Sequence, residues 1–385
     1  MLLEHGYEVE LLAYRQASYL PPLPLQDTRL AVHFLPWDER AWSDHRRHAA
    51  FSAWVSLRCL CKRPDLLLAI DPEAAIASYP FAVLSRTSVV YFSLELKGWH
   101  PYPQFRGSPL RWGRQFLGAL ARNAYKRIEC AAHRRAALTI IQDPNRAAVL
   151  QADNRLKVMP LVHVPPSLRT SFKPCRKPEY LAQKFRLSPE QVIILTAGGI
   201  ADYYWVEEVA RAGRDWPDHW VLVIHGPFRS GESYHDRVLR QCDGRKVIAS
   251  TGMLEQAEFD AMVASAHIGL ALYKDVGPNH FHITSGKVMQ YLRCGVPVVA
   301  TGFPNLREVV EKNRCGVCVS DPSGLSEAIS SLWADYSTFR ESAWRTFDEQ
   351  FRFDIHFEKV LQRMDLLMAQ TRRGQGRLPE TERRL

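Results

Sequence analysis

The sequence has no apolar run long enough to span a lipid bilayer, and its first residues do not resemble a secretory leader. A leader has basic residues followed by an uninterrupted apolar segment, whereas Glu4, Glu8 and Glu10 fall close to the start of this chain. Short-period repeats are also lacking. We therefore expect a folded protein that works in the cytoplasm, with peripheral attachment to the inner face of the membrane as the remaining form of membrane contact.

Metal-binding patterns are equally scarce. The eight cysteines are scattered, and Cys315 and Cys318, at metal-knuckle spacing, have no second pair or histidine cluster at finger spacing. His280 and His282 form a two-residue motif without a third ligand, and no Asp-x-Asp cluster suited to Mg²⁺ is present. We predict that no metal is bound, and that the cysteines are reduced thiols in the cytoplasm.

Composition and charge limit the classes of protein to which the chain can belong. The chain has 385 residues, of which 46% are hydrophobic and 24% are charged, as in folded proteins with room for two domains. The formal net charge is +9, which favours anionic partners such as nucleotides, nucleic acid or an acidic membrane surface. We find no nucleic-acid reader motif and therefore predict no nucleic-acid partner.

Strand-like apolar segments alternate with helix-like segments along most of the chain. Strands are predicted at residues 66–70, 88–92, 192–197 and 220–225, among others. Residues 66–70 are apolar on both faces, as strands buried between two helix layers are. A further strand is predicted at residues 157–161. This alternation predicts an α/β fold with parallel βαβ units, arranged as two tandem doubly wound domains.

A proline-rich, basic stretch separates the two sets of strands. We expect, in chain order, a domain over residues 1–165, a linker over 166–178, a second domain over 179–346, a helix over 347–370 and a disordered tail over 371–385. A doubly wound domain begins with a strand before its first helix. The residues before Gly6 leave no room for that strand, so we expect the first domain to lack it.

The most informative segment is residues 284–301, which has the form of a short helix, a glycine stop and an apolar strand. Thr284 or Ser285 can cap the helix, and Gly286 lets a ligand approach the backbone. Amides at a helix start favour an anion, and Lys287 opposes the helix dipole unless an anionic ligand shares its position. The segment predicts a phosphate-binding turn, with an ordinary surface helix as the alternative.

Residues 285–299 resemble the Lys-Leu-x-Glu-Tyr-Leu-Ala-x-Gly-x-Pro-Val-Val signature of nucleotide-sugar-dependent glycosyltransferases with the GT-B fold. The strand that ends at Gly198 and Gly199, and the turn at Gly252, resemble further parts of the donor domain in the members that build bacterial surface polysaccharides. The order and spacing agree over roughly residues 190–330. The resemblance implies two Rossmann-like domains that face a cleft, with the nucleotide-sugar on the second domain and the acceptor on the first.

The chain departs from this family around the phosphate-binding turn. Many members have two glutamates eight positions apart, and His282 and Gln290 occupy the corresponding positions. Gln290 can hydrogen-bond ribose hydroxyls, and His282 can neutralise phosphate or contact the transferred sugar. Many members also have basic residues after the glycine-ended strand. None follows Gly199 directly, so we expect Lys287 to carry more of the phosphate charge.

On the acceptor side, the resemblance implies a catalytic acid or histidine at the end of an N-terminal strand. Glu95 follows such a strand and is the candidate base, with a plain surface carboxylate as the alternative. Residues 106–135 carry eight basic residues among apolar and aromatic ones. This pattern suits an anionic membrane surface, and a solvated helix face is the alternative.

The predicted function is the transfer of a sugar from a nucleotide-sugar to a glycan or lipid-linked acceptor in surface polysaccharide synthesis, without a metal or a cofactor. One alternative is a non-catalytic subunit of the same fold, which the changes at His282 and Gln290 favour. Another is a different GT-B enzyme, such as a sugar-nucleotide epimerase. We predict catalytic roles for Glu95 and His282, and donor contacts for Gly198, Gly199, Gly252, Thr284, Ser285, Gly286, Lys287 and Gln290.

Overall fold

The computed structural model describes residues 1–15, 27–36, 44–96, 112–174 and 178–374. The chain forms two compact units, one of Met1–Val164 with His356–Leu385 and the other of Pro165–Ile355. The stretch treated above as a linker therefore lies within the second unit. Its Phe172 N–H donates to the Arg293 carbonyl oxygen at 2.9 Å.

The first unit contains parallel strands and intervening helices. Its strands are β1 (Val9–Arg15), β2 (Leu30–Pro36), β3 (Leu66–Ile70), β4 (Ser88–Phe92), β5 (Leu138–Ile141) and β6 (Leu161–His163). Its helices are α1 (Asp44–Lys62), α2 (Asp71–Ser85), α3 (Trp112–Arg134), α4 (Pro144–Asp153) and most of the C-terminal helix (Phe353–Gly374).

The strands of this unit form two separate parallel sheets, β1-β2 and β3-β4-β5-β6. In the doubly wound order the first strand lies between the second and the fourth. Among the described residues, no strand lies between β1 and β3.

One sequence prediction in this unit was wrong in detail, and one helix was not predicted. The strand predicted at residues 157–161 starts only at Leu161, because Val158 is 78% exposed and Pro160 has no N–H to give to a neighbouring strand. Helix α2 was not predicted. It contains Pro80, which disfavours a helix interior, yet it buries Ala75, Phe81 and Ala82.

The C-terminal helix is held against the first unit at its middle and near its C-terminal end. Asp365 contacts His5 Nε2 at 3.0 Å and accepts a hydrogen bond from Tyr7 Oη at 2.6 Å. Further along the helix, Arg372 pairs with Asp65 at 2.8 Å. Among the described residues, no helix has the length and apolar character needed to cross a membrane.

The second unit has one parallel sheet covered by helices. Its strands are β7 (Val192–Ala197), β8 (Trp220–His225), β9 (Val247–Ser250), β10 (Ile268–Ala271), β11 (Val298–Thr301) and β12 (Gly316–Val319). Its helices are α5 (Tyr180–Phe185), α6 (Val206–Gly213), α7 (Glu232–Leu239), α8 (Gln256–Ser265), α9 (Pro278–Phe281), α10 (Gly286–Arg293), α11 (Pro304–Val310), α12 (Leu325–Ala334) and α13 (Tyr336–Thr346).

The strand order of this sheet is β12-β11-β10-β7-β8-β9, which is the Rossmann order read from its far edge. Successive residues of β7 face opposite sides: Ile193 and Leu195 belong to one buried cluster, and Ile194 to another. Both faces are therefore covered, which is why β7 is apolar at every position except Thr196. The predicted α/β class with parallel sheets is confirmed.

Candidate active site

The turn before α10 is built around a buried serine. Ser285 is 1% exposed, and its Oγ accepts a hydrogen bond from the Val288 N–H at 3.2 Å, as an N-cap does. The Tyr273 hydroxyl also hydrogen-bonds to this Oγ. Ser285 therefore fixes the start of α10, while the adjacent Gly286 is exposed and Thr284 is half-buried.

Tyr291 ties α10 to the carboxyl end of β7. Its hydroxyl accepts from the Ala197 N–H and donates to the Leu195 carbonyl oxygen, both at 2.9 Å. Its ring lies against Gly269, where a Cβ atom would come within 2.5 Å of the ring. Tyr291 is one helical turn after Lys287, so this packing also directs Lys287 towards the end of β7.

Lys287 lies across Gly198. Gly198 has φ +99°, and a Cβ atom built on it would lie 3.3 Å from Lys287 Cε. The ammonium nitrogen is 4.0 Å from the centroid of the Tyr204 ring, within cation–π distance. Burial lowers the pKa of Lys287 to about 8. The predicted phosphate lysine and the predicted Gly-ended strand are therefore neighbours in the structure.

A second cation, Arg229, lies over the next glycine. A Cβ atom built on Gly199 would lie 3.2 Å from Arg229 Cγ, and the Arg229 N–H donates to the Ile200 carbonyl oxygen at 2.8 Å. Arg229 was not predicted from the sequence, because it does not lie among the positions that directly follow Gly199. Its position could have indicated it. Arg229 lies four residues after β8, and neighbouring parallel strands such as β7 and β8 end at the same edge of a sheet.

The two loops that carry these residues touch through a glycine. Gly226 has φ +145°, and a Cβ atom on it would lie only 2.0 Å from the Gly198 carbonyl oxygen. Gly198 N–H in turn donates to the His225 carbonyl oxygen at 2.9 Å. Only glycine permits this approach, so Gly226 sets the distance between the loops after β7 and β8.

Aromatic side chains surround Lys287. The ring of Tyr204 packs edge-on against those of Tyr203 and Tyr273, with centroid distances of 4.4 and 5.4 Å. Tyr203 also contacts His280 at 5.1 Å, and burial lowers the pKa of that imidazole. These contacts place residues 203–204 beside the turn.

His282 lies at the end of α9, three residues before Ser285. Its carbonyl oxygen accepts from Asn305 Nδ2 at 2.9 Å, and its ring is 5.0 Å from that of Phe281. The backbone of this predicted catalytic residue is thus anchored on α11. Gly252, in the loop after β9, is exposed with φ +119°.

Gln290 does not point its amide nitrogen at open solvent. Its Nε2 donates to Asp260 Oδ1 at 2.7 Å, and the same oxygen accepts from Gln256 Nε2 at 2.7 Å and from the guanidinium of Arg293. Asp260 and Arg293 are both buried. The Gln290 side chain therefore completes a polar cluster between α8 and α10, and its predicted contact with ribose stays a prediction.

Glu95 lies on the first unit, in the segment that follows β4, and is exposed. Its N–H donates to Asp71 Oδ1 at 3.1 Å, and the Leu94 N–H donates to the same oxygen at 2.8 Å. Asp71 follows β3 directly and has φ +63°. Arg146 is buried nearby with Nη2 2.9 Å from the Leu94 carbonyl oxygen. Asp71 was not singled out from the sequence, although it follows a buried strand as Glu95 does.

Among the described residues, no group of three or more His, Cys, Asp or Glu side chains is arranged to hold a metal ion. Cys315 and Cys318 adjoin or lie within β12, and burial raises the pKa of both thiols to about 12. A metal ligand must be a thiolate, so this environment disfavours ligation.

Residues 192–335 match the family model described as "Glycosyl transferases group 1". The matched segment contains Gly198, Arg229 and Lys287. Chitobiosyldiphosphodolichol beta-mannosyltransferase of Homo sapiens is 26% identical over 151 residues, which are 39% of this chain and 30% of that protein. The match therefore spans less than a third of the relative's length.

Solved structures resemble the chain over most of its length. WaaG, described as a glycosyltransferase involved in lipopolysaccharide biosynthesis, has a TM-score of 0.68 at 15% identity, with 93% of this chain and 91% of WaaG covered. HepE of Anabaena, solved in complex with UDP, has a TM-score of 0.65 at 15% identity, with coverages of 88% and 86%.

The fold and the family match together define a GT-B chain with a group 1 glycosyltransferase domain. The resemblance drawn from the sequence is thereby confirmed for the fold and for the domain over residues 192–335.

Proposed function

We propose that the chain transfers a sugar from a nucleoside-diphosphate sugar to a glycan or lipid-linked acceptor, in the synthesis of a surface polysaccharide. The observation that carries the proposal is the pair of cations on consecutive glycines, Lys287 over Gly198 and Arg229 over Gly199. Both glycines are half-buried and lie at the carboxyl edge of a Rossmann sheet, where nucleotides bind in this architecture.

The charges at this edge suit a diphosphate leaving group. Transfer breaks the bond between sugar C1 and a diphosphate oxygen, so negative charge develops on the leaving group. Two cations and the free amides at the start of α10 can stabilise that charge without reorganising. Arg229 supplies the basic group that the sequence analysis found missing after Gly199, so Lys287 does not act alone. The proposed reaction needs no cofactor besides the nucleotide-sugar.

Two similar proteins support the choice of substrates. HepE was solved in complex with UDP, which is a nucleoside diphosphate. The human relative is named for a mannosyl transfer to chitobiosyldiphosphodolichol, a lipid-linked diphosphate. We infer from these that a nucleotide-sugar and a lipid-linked or glycan acceptor are the substrate classes of this chain.

We assign the acceptor chemistry to Glu95 on the first unit and the contact with the transferred sugar to His282 on the second. The Asp71 carboxylate accepts two N–H groups from the Glu95 segment and so orders it. An exposed carboxylate held on an ordered backbone can accept a proton from an acceptor hydroxyl.

The proposed site of action is the cytoplasmic face of a membrane, with residues 106–135 as the contact. Arg106 and Arg111 lie outside the described residues. Lys126 is buried and pairs with Asp153, so it is not part of a surface. Arg127 and Arg134 are exposed and can contact anionic headgroups.

A second candidate function is a non-catalytic subunit of the same fold, and the position of Gln290 favours it. The corresponding residue in many members is a glutamate, whereas the Gln290 amide here is bound to the buried Asp260. Such a subunit would bind a nucleotide without turning over its sugar.

Calorimetric titration with UDP and GDP, combined with an assay for nucleoside diphosphate release from a panel of nucleotide-sugars, tests both candidates. We expect binding and turnover in the wild-type chain, and loss of both in the double variant Lys287→Ala, Arg229→Ala. Lys246→Ala, at an exposed pair with Asp218, is the control. Unchanged binding in the double variant would refute the assigned site, and binding without turnover of any nucleotide-sugar would support the non-catalytic subunit.

A further inference from the structure

A cavity of about 510 Å³ opens on the first unit, beside the second half of α3 and the end of α4. Its lining includes Lys126, Arg127 and Arg134 from α3, Asp153 from α4, and Arg155 just beyond α4. Arg127 and Arg134 are seven residues apart, which is two helical turns, so they lie on one face of α3. The volume lies in the range of small-molecule sites.

The cavity has an excess of positive charge. Lys126 pairs with Asp153, and with Glu129 at 3.2 Å, so its charge is compensated by two carboxylates. Among the described residues, no carboxylate pairs with Arg127, Arg134 or Arg155, and all three are exposed. Three guanidinium groups therefore border one cavity whose lining contains a single carboxylate, that of Asp153, which pairs with Lys126, so the charge at the cavity is net positive.

A buried polar network fixes the segments of the chain that carry the three arginines. Asn154 is 0% exposed, and its Nδ2 donates to Glu129 at 3.2 Å and to His133 Nδ1 at 2.7 Å. The other ring nitrogen of His133 hydrogen-bonds to Thr139 Oγ1 at 2.9 Å. The network joins α3, β5 and the end of α4, and so it fixes the position of Arg155 relative to α3.

Helix dipoles explain only part of this arrangement. Arg134 is the last residue of α3 and Arg155 follows α4, and cations are favourable at helix carboxyl ends. Arg127 lies two turns before the end of α3, where the dipole has no such effect. A ligand with several negative oxygens would account for all three, since planar guanidinium groups match phosphate oxygens in pairs.

We propose that this cavity binds a phosphate-bearing group, a phosphomonoester or a diphosphate, through Arg127, Arg134 and Arg155. The group is carried either by a lipid or by a free phosphorylated metabolite. The site is separate from Lys287 and Arg229, which belong to the other unit. It is also more specific than attraction of a basic surface to a membrane, because a cavity selects the headgroup whereas a surface responds to charge density.

The soluble arm of the test uses pyrophosphate and calorimetry. It is carried out in a full-length Lys287→Ala, Arg229→Ala background, so that the edge of β7 does not contribute. We expect binding in this background and a loss of at least tenfold in affinity when Arg127→Gln, Arg134→Gln and Arg155→Gln are added. The control set, Lys62→Gln, Arg86→Gln and Lys359→Gln, removes the same charge from exposed positions of the same unit and should change the affinity less than twofold.

The lipid arm uses phosphatidylcholine vesicles that contain either phosphatidic acid or phosphatidylserine at equal zeta potential. We expect the otherwise unmodified chain to co-sediment more with phosphatidic acid vesicles, whose headgroup is a phosphomonoester, and the triple variant to lose this preference. Pyrophosphate binding without a vesicle preference would identify a free metabolite as the source. A vesicle preference that depends on the three arginines, without pyrophosphate binding, would identify the lipid.

The proposal is overturned if the chain binds neither probe, if the triple variant and the control set lose equal affinity, or if the two vesicle types bind equally and pyrophosphate does not bind. The single variant Arg127→Gln keeps the test valid if the triple variant does not fold. It should weaken binding of the same probe at least threefold, with an unchanged circular dichroism spectrum and melting temperature.

Discussion

The ammonium nitrogen of Lys287 lies 4.0 Å from the centroid of the Tyr204 ring, while its Cε packs over Gly198. The ring faces a cation that burial has already made easier to deprotonate. Tyr204 thus holds the ammonium group at the end of β7 instead of letting it extend into solvent. The contact joins the loop after β7, which carries Tyr204, to helix α10, which carries Lys287.

Replacement of the ring tests this relationship. Tyr204→Leu should weaken nucleoside diphosphate binding by roughly two- to thirtyfold, because a cation–π contact contributes about 0.5–2 kcal/mol to the position of the ammonium group. Tyr204→Phe keeps the ring and is the matched control, so its affinity should stay close to that of the wild type. Calorimetry with UDP and GDP measures both. Equal losses in the two variants would assign the effect to the hydroxyl group and not to the ring.

The lowered pKa of Lys287 predicts how nucleotide binding depends on pH. The side chain is charged below a pKa of about 8 and loses its proton above it. Affinity for a nucleoside diphosphate should therefore be level near pH 7 and decline above pH 8, by at most about tenfold per pH unit. Lys287→Arg keeps its charge at every pH used and should give a flat profile. A decline of the same size in Lys287→Arg would mean that another group titrates.

Gly226 should tolerate no side chain. Gly226→Ala would place a Cβ atom 2.0 Å from the Gly198 carbonyl oxygen at φ +145°, so the loops after β7 and β8 would have to separate. We expect a loss of about 2–4 kcal/mol in the free energy of unfolding, measured by urea titration. The control is Gly231→Ala, where nothing lies within 4 Å of the new atom and φ is −62°. That variant should stay within about 0.5 kcal/mol of the wild type.

Restoring the family's usual glutamate at position 290 should not restore a donor contact. In Gln290→Glu a carboxylate would replace an amide that now donates to Asp260 Oδ1 at 2.7 Å, and two carboxylates would face each other. We expect the variant to be less stable by about 1–3 kcal/mol at pH 7, from the lost hydrogen bond and the repulsion, without a gain in nucleotide affinity. Gln350→Glu, whose amide contacts the neutral Asn313, should change stability little in the same urea titration.

A gain in nucleotide affinity for Gln290→Glu would show that the side chain at this position can turn towards a ribose. In that case the hydrogen bond to Asp260 would describe one of two positions of the side chain.

The proposed base on the first unit can be tested by kinetics. Glu95→Gln should lower kcat by roughly 10²–10⁴-fold, because general-base catalysis contributes that much, and should leave the KM for the nucleotide-sugar unchanged. Glu8→Gln removes an exposed carboxylate from the same unit and should leave both constants unchanged. If Glu95→Gln kept the full kcat, Glu95 would be an ordinary surface carboxylate. The same measurement would then be made on a variant of Asp71.

Much of the fold was predictable because buried parallel strands are apolar at most positions. The strands predicted at residues 66–70, 88–92, 192–197 and 220–225 have the bounds of β3, β4, β7 and β8 in the structure. Helix α2 was missed because Pro80 lies inside it and its buried residues are mostly small, so its apolar periodicity is weak even though its alanines favour a helix. Its stability comes from packing, which is a property of the tertiary structure.

The sequence by itself determined the architecture of the second unit and the turn at residues 284–287, because strand burial, helix capping and a lysine against the helix dipole are all local effects. The tertiary structure alone decided which side chains meet at that turn. Arg229 comes from the loop after β8, and it reaches Gly199 because neighbouring parallel strands end at one edge. Gln290 donates a hydrogen bond to Asp260 because α8 packs beside α10. Such contacts join residues thirty or more positions apart, and no local pattern encodes them.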